Sequence, residues 1–136
     1  MRRSLVAVPL VLALLAAGCA GSSSGTAEFE GEQQRVADVV EKLQSAGETG
    51  DAKEICEQVL AKSLADQIRA AGSTCEQEMD KAIKDADDFD LEVESVTIQG
   101  NTATARVKGR DRGTDRVRTF EFEKEGPDWR ATNLGA

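Results

Sequence analysis

Apolar residues recur with helical spacing in the first half of the chain beyond residue 28. Within residues 32–46, Val36, Val39, Val40 and Leu43 fall at positions i, i+3, i+4 and i+7. This spacing places all four side chains on one side of a helix, because an α-helix turns once every 3.6 residues. The pattern predicts an amphipathic first helix with one buried stripe.

Two capping-box pairs predict two further helices. Asp51 is followed three residues later by Glu54, and Ser73 is followed three residues later by Glu76. In such pairs each side chain satisfies a free backbone N–H group at a helix start. We therefore expect three helices, of which the second restarts with a kink at Ser63.

Beyond Lys84 the apolar residues alternate with polar ones, which is typical of strands with one buried face. The alternation slips at Glu94-Ser95, which predicts a β-bulge, and a second slip is expected near Thr119. Gly100-Asn101 is a hairpin signal. The predicted fold class is α+β, with three N-terminal helices packed on a curved antiparallel sheet of about four strands.

The N-terminal segment has the layout of an export signal. Arg2 and Arg3 precede the apolar run Leu5–Ala17, which is shorter than the roughly 20 residues that span a bilayer. The run ends at Ala16-Ala17-Gly18-Cys19 and is followed by a Gly/Ser stretch. This arrangement resembles the lipobox of bacterial lipoproteins, although Ala16 stands where a bulky aliphatic residue is usual. A plain signal peptide with a chance cysteine is the alternative.

The resemblance implies three parts of the chain. Residues 1–18 are expected to be a lipoprotein signal peptide, and residues 19–27 a lipidated Cys19 with a flexible tether. Residues 28–136 are expected to form a single domain. The implied location is the extracytoplasmic face of the cell membrane, to which the lipid anchors the protein.

The chain has three cysteines, an odd number for an exported protein. A lipid on Cys19 leaves Cys56 and Cys75, which lie on the predicted inward faces of consecutive helices. We predict a disulfide between them, because such bonds persist in oxidising compartments. Two buried free thiols are the alternative.

Composition restricts the chemistry of the chain. It contains no histidine and no tyrosine, so the commonest general base and the commonest metal ligand are missing. Its net charge of −8 argues against a nucleic-acid partner, which would require a basic surface. Four acidic residues lie together, but an EF-hand loop starting at the first would need Gly at Asp90 and Glu at Val96. A solvated connection is predicted there instead, at Asp85, Asp87, Asp88 and Asp90, with no metal or cofactor.

The order of elements from Phe29 to Leu134 resembles the nuclear transport factor 2-like superfamily, a cone of curved sheet and helices. Besides the first helix, the resemblance rests on Gly50-Asp51-Ala52 leading into Ile55-Cys56, on Leu64 and Cys75, and on the closing segment Asp128-Trp129-Arg130-Ala131. It implies a pocket between sheet and helices. Enzymes of this superfamily often use Asp with His or Tyr, so an enzyme here would depend on a carboxylate such as Asp66 or Asp80.

Two candidate binding regions follow from these patterns. The first is a ligand pocket lined by Val40, Met79, Phe120 and Trp129, although Phe120 and Trp129 are also natural core anchors. The second is a basic hairpin whose side chains are expected to share the exposed sheet face, either as a partner surface or as an ordinary solvated face. Its residues are Arg106, Lys108, Arg110, Arg112, Arg116 and Arg118.

The expected function is therefore a non-catalytic binding domain for a small apolar ligand or an envelope partner. A carboxylate enzyme and a protein-interaction adaptor are the alternatives.

Overall fold

The computed structural model describes residues 29–135. The expected signal peptide, Cys19 and the tether lie outside these residues. Among the described residues, no helix has the length and apolar character needed to cross a membrane.

Helix α1, Gly31–Thr49, is the first predicted helix, and it extends beyond residues 32–46 at both ends. Its buried stripe includes Val36, Val40 and Leu43, as the spacing predicts. The helix ends at Gly50, whose left-handed backbone (φ 74°) lets its N–H group bond to carbonyls of the last turn.

The second predicted helix is two helices. Helix α2, Ala52–Glu54, begins at the Asp51 cap and continues as a π-helical turn, Ile55–Val59. The backbone then becomes extended, and the N–H group of Ala61 donates to the carbonyl of Ala131 over 2.8 Å. Helix α3, Lys62–Ala70, starts afresh after this contact.

Helix α4, Cys75–Asp85, is capped by Thr74, whose hydroxyl accepts from the N–H group of Gln77, so the cap predicted at Ser73 is wrong by one residue. The expectation of three helices is therefore wrong, because the described residues contain four. The predicted disulfide is present: Cys56 and Cys75 are bonded, with their Cα atoms 6.0 Å apart. It joins the π-helical turn to the first residue of α4.

Four antiparallel strands form one open sheet in the order β1-β2-β3-β4. They are β1, Glu92–Gln99; β2, Thr102–Asp111; β3, Thr114–Glu125; and β4, Asp128–Asn133. The predicted bulge in β1 is present between Val93 and Ser95. The predicted α+β class with a four-stranded antiparallel sheet is thus confirmed.

The helices cover one face of the sheet, here called the inner face. It carries buried side chains that pack with those of α1 and of the π-helical turn. On the sheet these are Val93, Val96, Ala103, Ala105, Val107, Phe120, Phe122, Trp129 and Ala131. The opposite, outer face carries Arg106 and Lys108, at the positions of β2 that alternate with the buried ones.

The pairing of β2 with β3 runs without interruption from Thr102↔Glu123 to Asp111↔Thr114. The slip expected near Thr119 is therefore absent from this ladder, and a slip occurs instead between Glu121 and Phe122 in the pairing with β4. Because directly opposed residues share a face, this register assigns every side chain of β3 to its side of the sheet.

Candidate functional site

A cleft of about 330 Å³ lies between α4, the α4–β1 connection and the inner face of β2 and β3. Its volume is within the range of about 300–1,000 Å³ that is typical of small-molecule pockets. The floor is apolar, since side chains from two helices, the π-helical turn and two strands meet there. These are Leu43, Ile55, Met79, Ile83, Val107 and Phe120.

The four residues predicted to line a pocket do not lie together. Met79 and Phe120 line the cleft, whereas Val40 and Trp129 lie outside it. Val40 of α1 and Trp129 of β4 are both buried in the hydrophobic core. The sequence could not separate these roles, because all four residues are apolar and occupy inward positions.

The six basic residues predicted to share one face are divided by the β2–β3 register. Arg106, Lys108 and Arg110 occupy outer-face positions of β2, as predicted, and Arg110, near the hairpin tip, also borders the cleft. Arg118 is opposite Val107 and Arg116 is opposite Gly109, so both point to the inner face. The prediction of a common face is therefore wrong, because the β2–β3 pairing contains no slip that would turn Arg116 and Arg118 to the outer face.

Val117 gives independent support for this register. It lies opposite Lys108 and is 43% exposed on the outer face, although it is apolar. The sequence did hold a signal for this arrangement. Residues 116, 118, 120 and 122 follow one uninterrupted period of two, which places two arginines and two phenylalanines on the same face.

Each basic residue of the outer face has an acidic partner. Lys108 Nζ lies 3.0 Å from Glu92 Oε2, and the hydrogen bond between them raises the pKa of the ammonium. Arg106 Nε lies 3.7 Å from a carboxylate oxygen of Glu94, and Arg110 Nε lies 3.6 Å from one of Asp115. These cross-strand pairs neutralise much of the basic stripe on this face.

Arg116 and Arg118 form one wall of the cleft. Both guanidinium groups approach the same carboxylate oxygen, Asp111 Oδ2, each at 3.5 Å. The side chain of Asp111 was not among the predicted site residues. Two cationic groups thus share one anionic partner at this end of the cleft.

The tip of the β2–β3 hairpin is joined to the α4–β1 connection. Arg112 and Gly113 form a two-residue turn in which both residues have positive φ, 52° and 76°. The N–H group of Arg112 donates to Asp87 Oδ2, and Asp87 lines the cleft. This contact brings the hairpin tip and the acidic segment together beside the cleft.

Phe89 forms another part of the cleft wall and packs on α1 at Gly47. A Cβ atom at Gly47 would lie 2.2 Å from Cδ1 of the Phe89 ring, so only glycine leaves room for it. The sequence did not predict this contact between Gly47 and Phe89, because a glycine near the end of a helix is also an ordinary helix-ending signal. The close approach fixes the acidic segment against the first helix.

A larger groove of about 680 Å³ lies where α1 approaches β4, and it is lined mostly by charged and polar side chains. The aromatic residue that lines this groove is Trp129. Its indole N–H already has a partner within the protein, because Nε1 donates to Glu32 Oε2 over 2.6 Å. The Lys124 ammonium lies 3.1 Å from the same oxygen and 5.5 Å from the ring centre. This groove therefore offers less apolar surface to a ligand than the smaller cleft.

The carboxylates proposed for an enzyme lie outside the cleft. Asp66 is exposed on α3 and pairs with Arg69, and Asp80 is exposed on α4. Within residues 29–135, no group of three or more His, Cys, Asp or Glu side chains is placed to hold a metal ion.

No protein-family model matches the chain, and no curated protein matches it in sequence.

Proposed function

We propose that the chain is a lipoprotein anchored on the extracytoplasmic face of the cell membrane, and that its single domain binds a small apolar molecule without catalysis. The observation that carries the binding proposal is the apolar floor of the cleft between α4 and the sheet. Burial of apolar ligand surface there would be favourable by about 25 cal/mol per Å².

The anchoring proposal rests on Cys19, which follows a short apolar run and precedes a Gly/Ser stretch. The Cys56–Cys75 disulfide is consistent with it, because an exported domain folds in oxidising surroundings. We also propose that the fold is nuclear transport factor 2-like. Its opening amphipathic helix, its antiparallel sheet and the buried Trp129 on the last strand support that assignment.

The two alternatives have less support. An adaptor would use the basic hairpin, but Arg106, Lys108 and Arg110 are paired with acidic neighbours on the same face. An enzyme based on Asp66 or Asp80 would need a carboxylate in a dry site, whereas both side chains are exposed.

Binding of a neutral fluorescent probe, N-phenyl-1-naphthylamine, tests the apolar cleft. We expect the full chain to enhance its fluorescence, and Ile83→Trp to reduce that enhancement because the larger ring fills the cleft. Ile98→Trp is the matched control: Ile98 is also half-buried, but it lies on β1 away from the cleft. Equal enhancement in all three proteins, or none in the wild type, would contradict the proposal.

Mass spectrometry of the protein isolated from membranes tests the anchor. The expected product begins at Cys19 and carries acyl mass on that residue. A product that retains residues 1–18, or that begins at Cys19 without added mass, would remove the lipoprotein proposal.

A further inference from the structure

We infer that the ligand of the cleft is a single-chain amphiphile with an anionic head group, and that Arg116 and Arg118 bind this head group. The inference rests on the proposed function, since it names the class of molecule that the cleft takes. Four observations support it.

The first observation is the position of the two arginines relative to the apolar floor. Arg116, Arg118 and Phe120 are successive inner-face residues of β3. Neighbouring side chains on one face of a strand are about 7 Å apart, so the cationic groups begin where the apolar floor ends. A molecule with a chain on the floor would thus present its head group to the arginines.

The second observation is the local charge balance. Arg116 and Arg118 share the Asp111 carboxylate, so these three side chains together carry one net positive charge, although the cleft lining as a whole also includes Arg110 and three further aspartates. Guanidinium groups bind carboxylates and phosphates through paired hydrogen bonds, which are stronger than neutral ones. The side chains are 63% and 46% exposed and are therefore accessible to an incoming head group.

Besides Asp111 of β2, the cleft has acidic residues at the end of α4 and on the α4–β1 connection, and two of these accept backbone hydrogen bonds. Asp87 accepts from the N–H group of Arg112, and Asp88 accepts from that of Asp90 over 3.3 Å. Asp85, the last residue of α4, also lines the cleft. Asp87 and Asp88 thus already have backbone donors, and Arg116 and Arg118 supply the guanidinium groups that an anionic head group would contact.

The third observation is that the C-terminal segment packs on the stem of Arg118. A Cβ atom at Gly135 would lie 2.8 Å from Cβ of Arg118, and Gly135 has φ of +72°. Leu134, the preceding residue, lines the cleft. The segment therefore restricts the directions open to the Arg118 side chain and lowers the entropy lost when it binds an anion.

The fourth observation is size. A cleft of about 330 Å³ is at the lower end of the range for small-molecule pockets, so it favours one chain over a lipid with two.

The test compares three probes with the same chain and different head groups: decanoate, decanol and decyltrimethylammonium. Calorimetric titration of the full chain, below the concentrations at which the probes form micelles, gives the affinities. We expect decanoate to bind most tightly. In R116Q/R118Q we expect decanoate affinity to fall about tenfold, the order of magnitude of a lost charge-assisted hydrogen bond, while decanol affinity changes less than about twofold.

The matched control is R106Q/K108Q, which removes the same charge from the outer face of the same hairpin. It should leave decanoate affinity unchanged. Because all proteins carry the same N-terminal segment, differences between them report on the cleft. Circular dichroism confirms folding, and we expect it to be retained because Asp111 is partly exposed and can be solvated without its partners.

The outcomes separate the two proposals. Binding of decanol that equals or exceeds that of decanoate overturns the anionic head group but supports the apolar cleft. Tighter binding of decyltrimethylammonium than of decanoate overturns the anionic head group and would indicate that the acidic segment binds a cationic one. Equal losses in both double variants overturn the role of Arg116 and Arg118. Failure of all three probes to bind overturns the proposed function itself.

Discussion

Trp129 of β4 donates its indole N–H to Glu32 of α1, with 2.6 Å between Nε1 and Oε2. The bond joins the first helix to the last strand, 97 residues apart in the chain. Lys124 of β3 approaches the same carboxylate oxygen, so three elements meet at one group. Trp129 is therefore a buried core residue whose indole N–H has a partner, and it lies outside the cleft.

Glu32→Gln is expected to destabilise the domain at pH 7 and to have little effect in acid. The Trp129 hydrogen bond, followed by that from Lys124, lowers the pKa of Glu32 below its ordinary value of 4.5. A carboxylate with a lowered pKa stabilises the fold above its unfolded pKa, and that contribution disappears as the pH falls through the folded pKa. Urea unfolding of the wild type and of Glu32→Gln, from pH 7 to acidic pH, measures the difference in their free energies of unfolding.

Glu41→Gln is the matched control for this pH dependence, since Glu41 is an exposed residue of the same helix. A difference between wild type and Glu32→Gln that stays constant from neutral to acidic pH would contradict the role assigned to the charged form.

Loss of the Cys56–Cys75 disulfide is expected to lower the free energy of unfolding by about 3 kcal/mol. The bond closes a loop with a sequence separation of 19, and cross-linking such a loop restricts the unfolded chain. Urea unfolding of C56A/C75A against the wild type gives the value. A loss below about 1 kcal/mol would show that other contacts hold α4 in place.

Gly47→Ala is expected to destabilise the domain by about 1–3 kcal/mol, because the new methyl group would displace the Phe89 ring. In a Phe89→Ala background the same change should become neutral or stabilising, since alanine is the better helix former by about 1 kcal/mol. Thermal unfolding of the four proteins completes this cycle. The same penalty in both backgrounds would mean that Phe89 is not the obstacle.

Arg112→Asn is expected to stabilise the domain by about 0.5–1 kcal/mol. The turn places this residue at φ 52°, where asparagine is tolerated better than arginine, and Asn-Gly is the preferred pair for such hairpin turns. The backbone N–H bond to Asp87 survives the change, because it does not involve the Arg112 side chain. Arg110→Asn is the control, because it removes the same charge from a position within β2. It should not raise the melting temperature, and a rise equal to that of Arg112→Asn would indicate that the change in net charge is the cause.

The sequence predicted those features that depend on nearby residues. Helix α1 follows from the spacing of its apolar residues, and α2 follows from the Asp51–Glu54 cap. The hairpin at Gly100-Asn101 and the bulge after Val93 follow from turn chemistry and a local change of phase. The disulfide followed from the number of cysteines and the proposed lipidation of one of them.

The division of the second predicted helix into α2 and α3 could not be predicted from nearby residues. Leu60 and Ala61 have helical propensity, but they become extended because Ala131, at the far end of the chain, pairs with them. The cleft also depends on contacts between distant parts of the chain, because its floor combines residues from α1 to β3.

By itself, the sequence determined the α+β class, most helix starts, the turns and the disulfide, since each depends on local hydrogen bonding, backbone preference or counting. Tertiary structure decided the face on which Arg116 and Arg118 lie. A shift of one residue in strand pairing reverses every side chain, and the register of β3 was set by its whole ladder with β2 rather than by any residue near Thr119. That non-local choice placed two cations at the end of an apolar cleft.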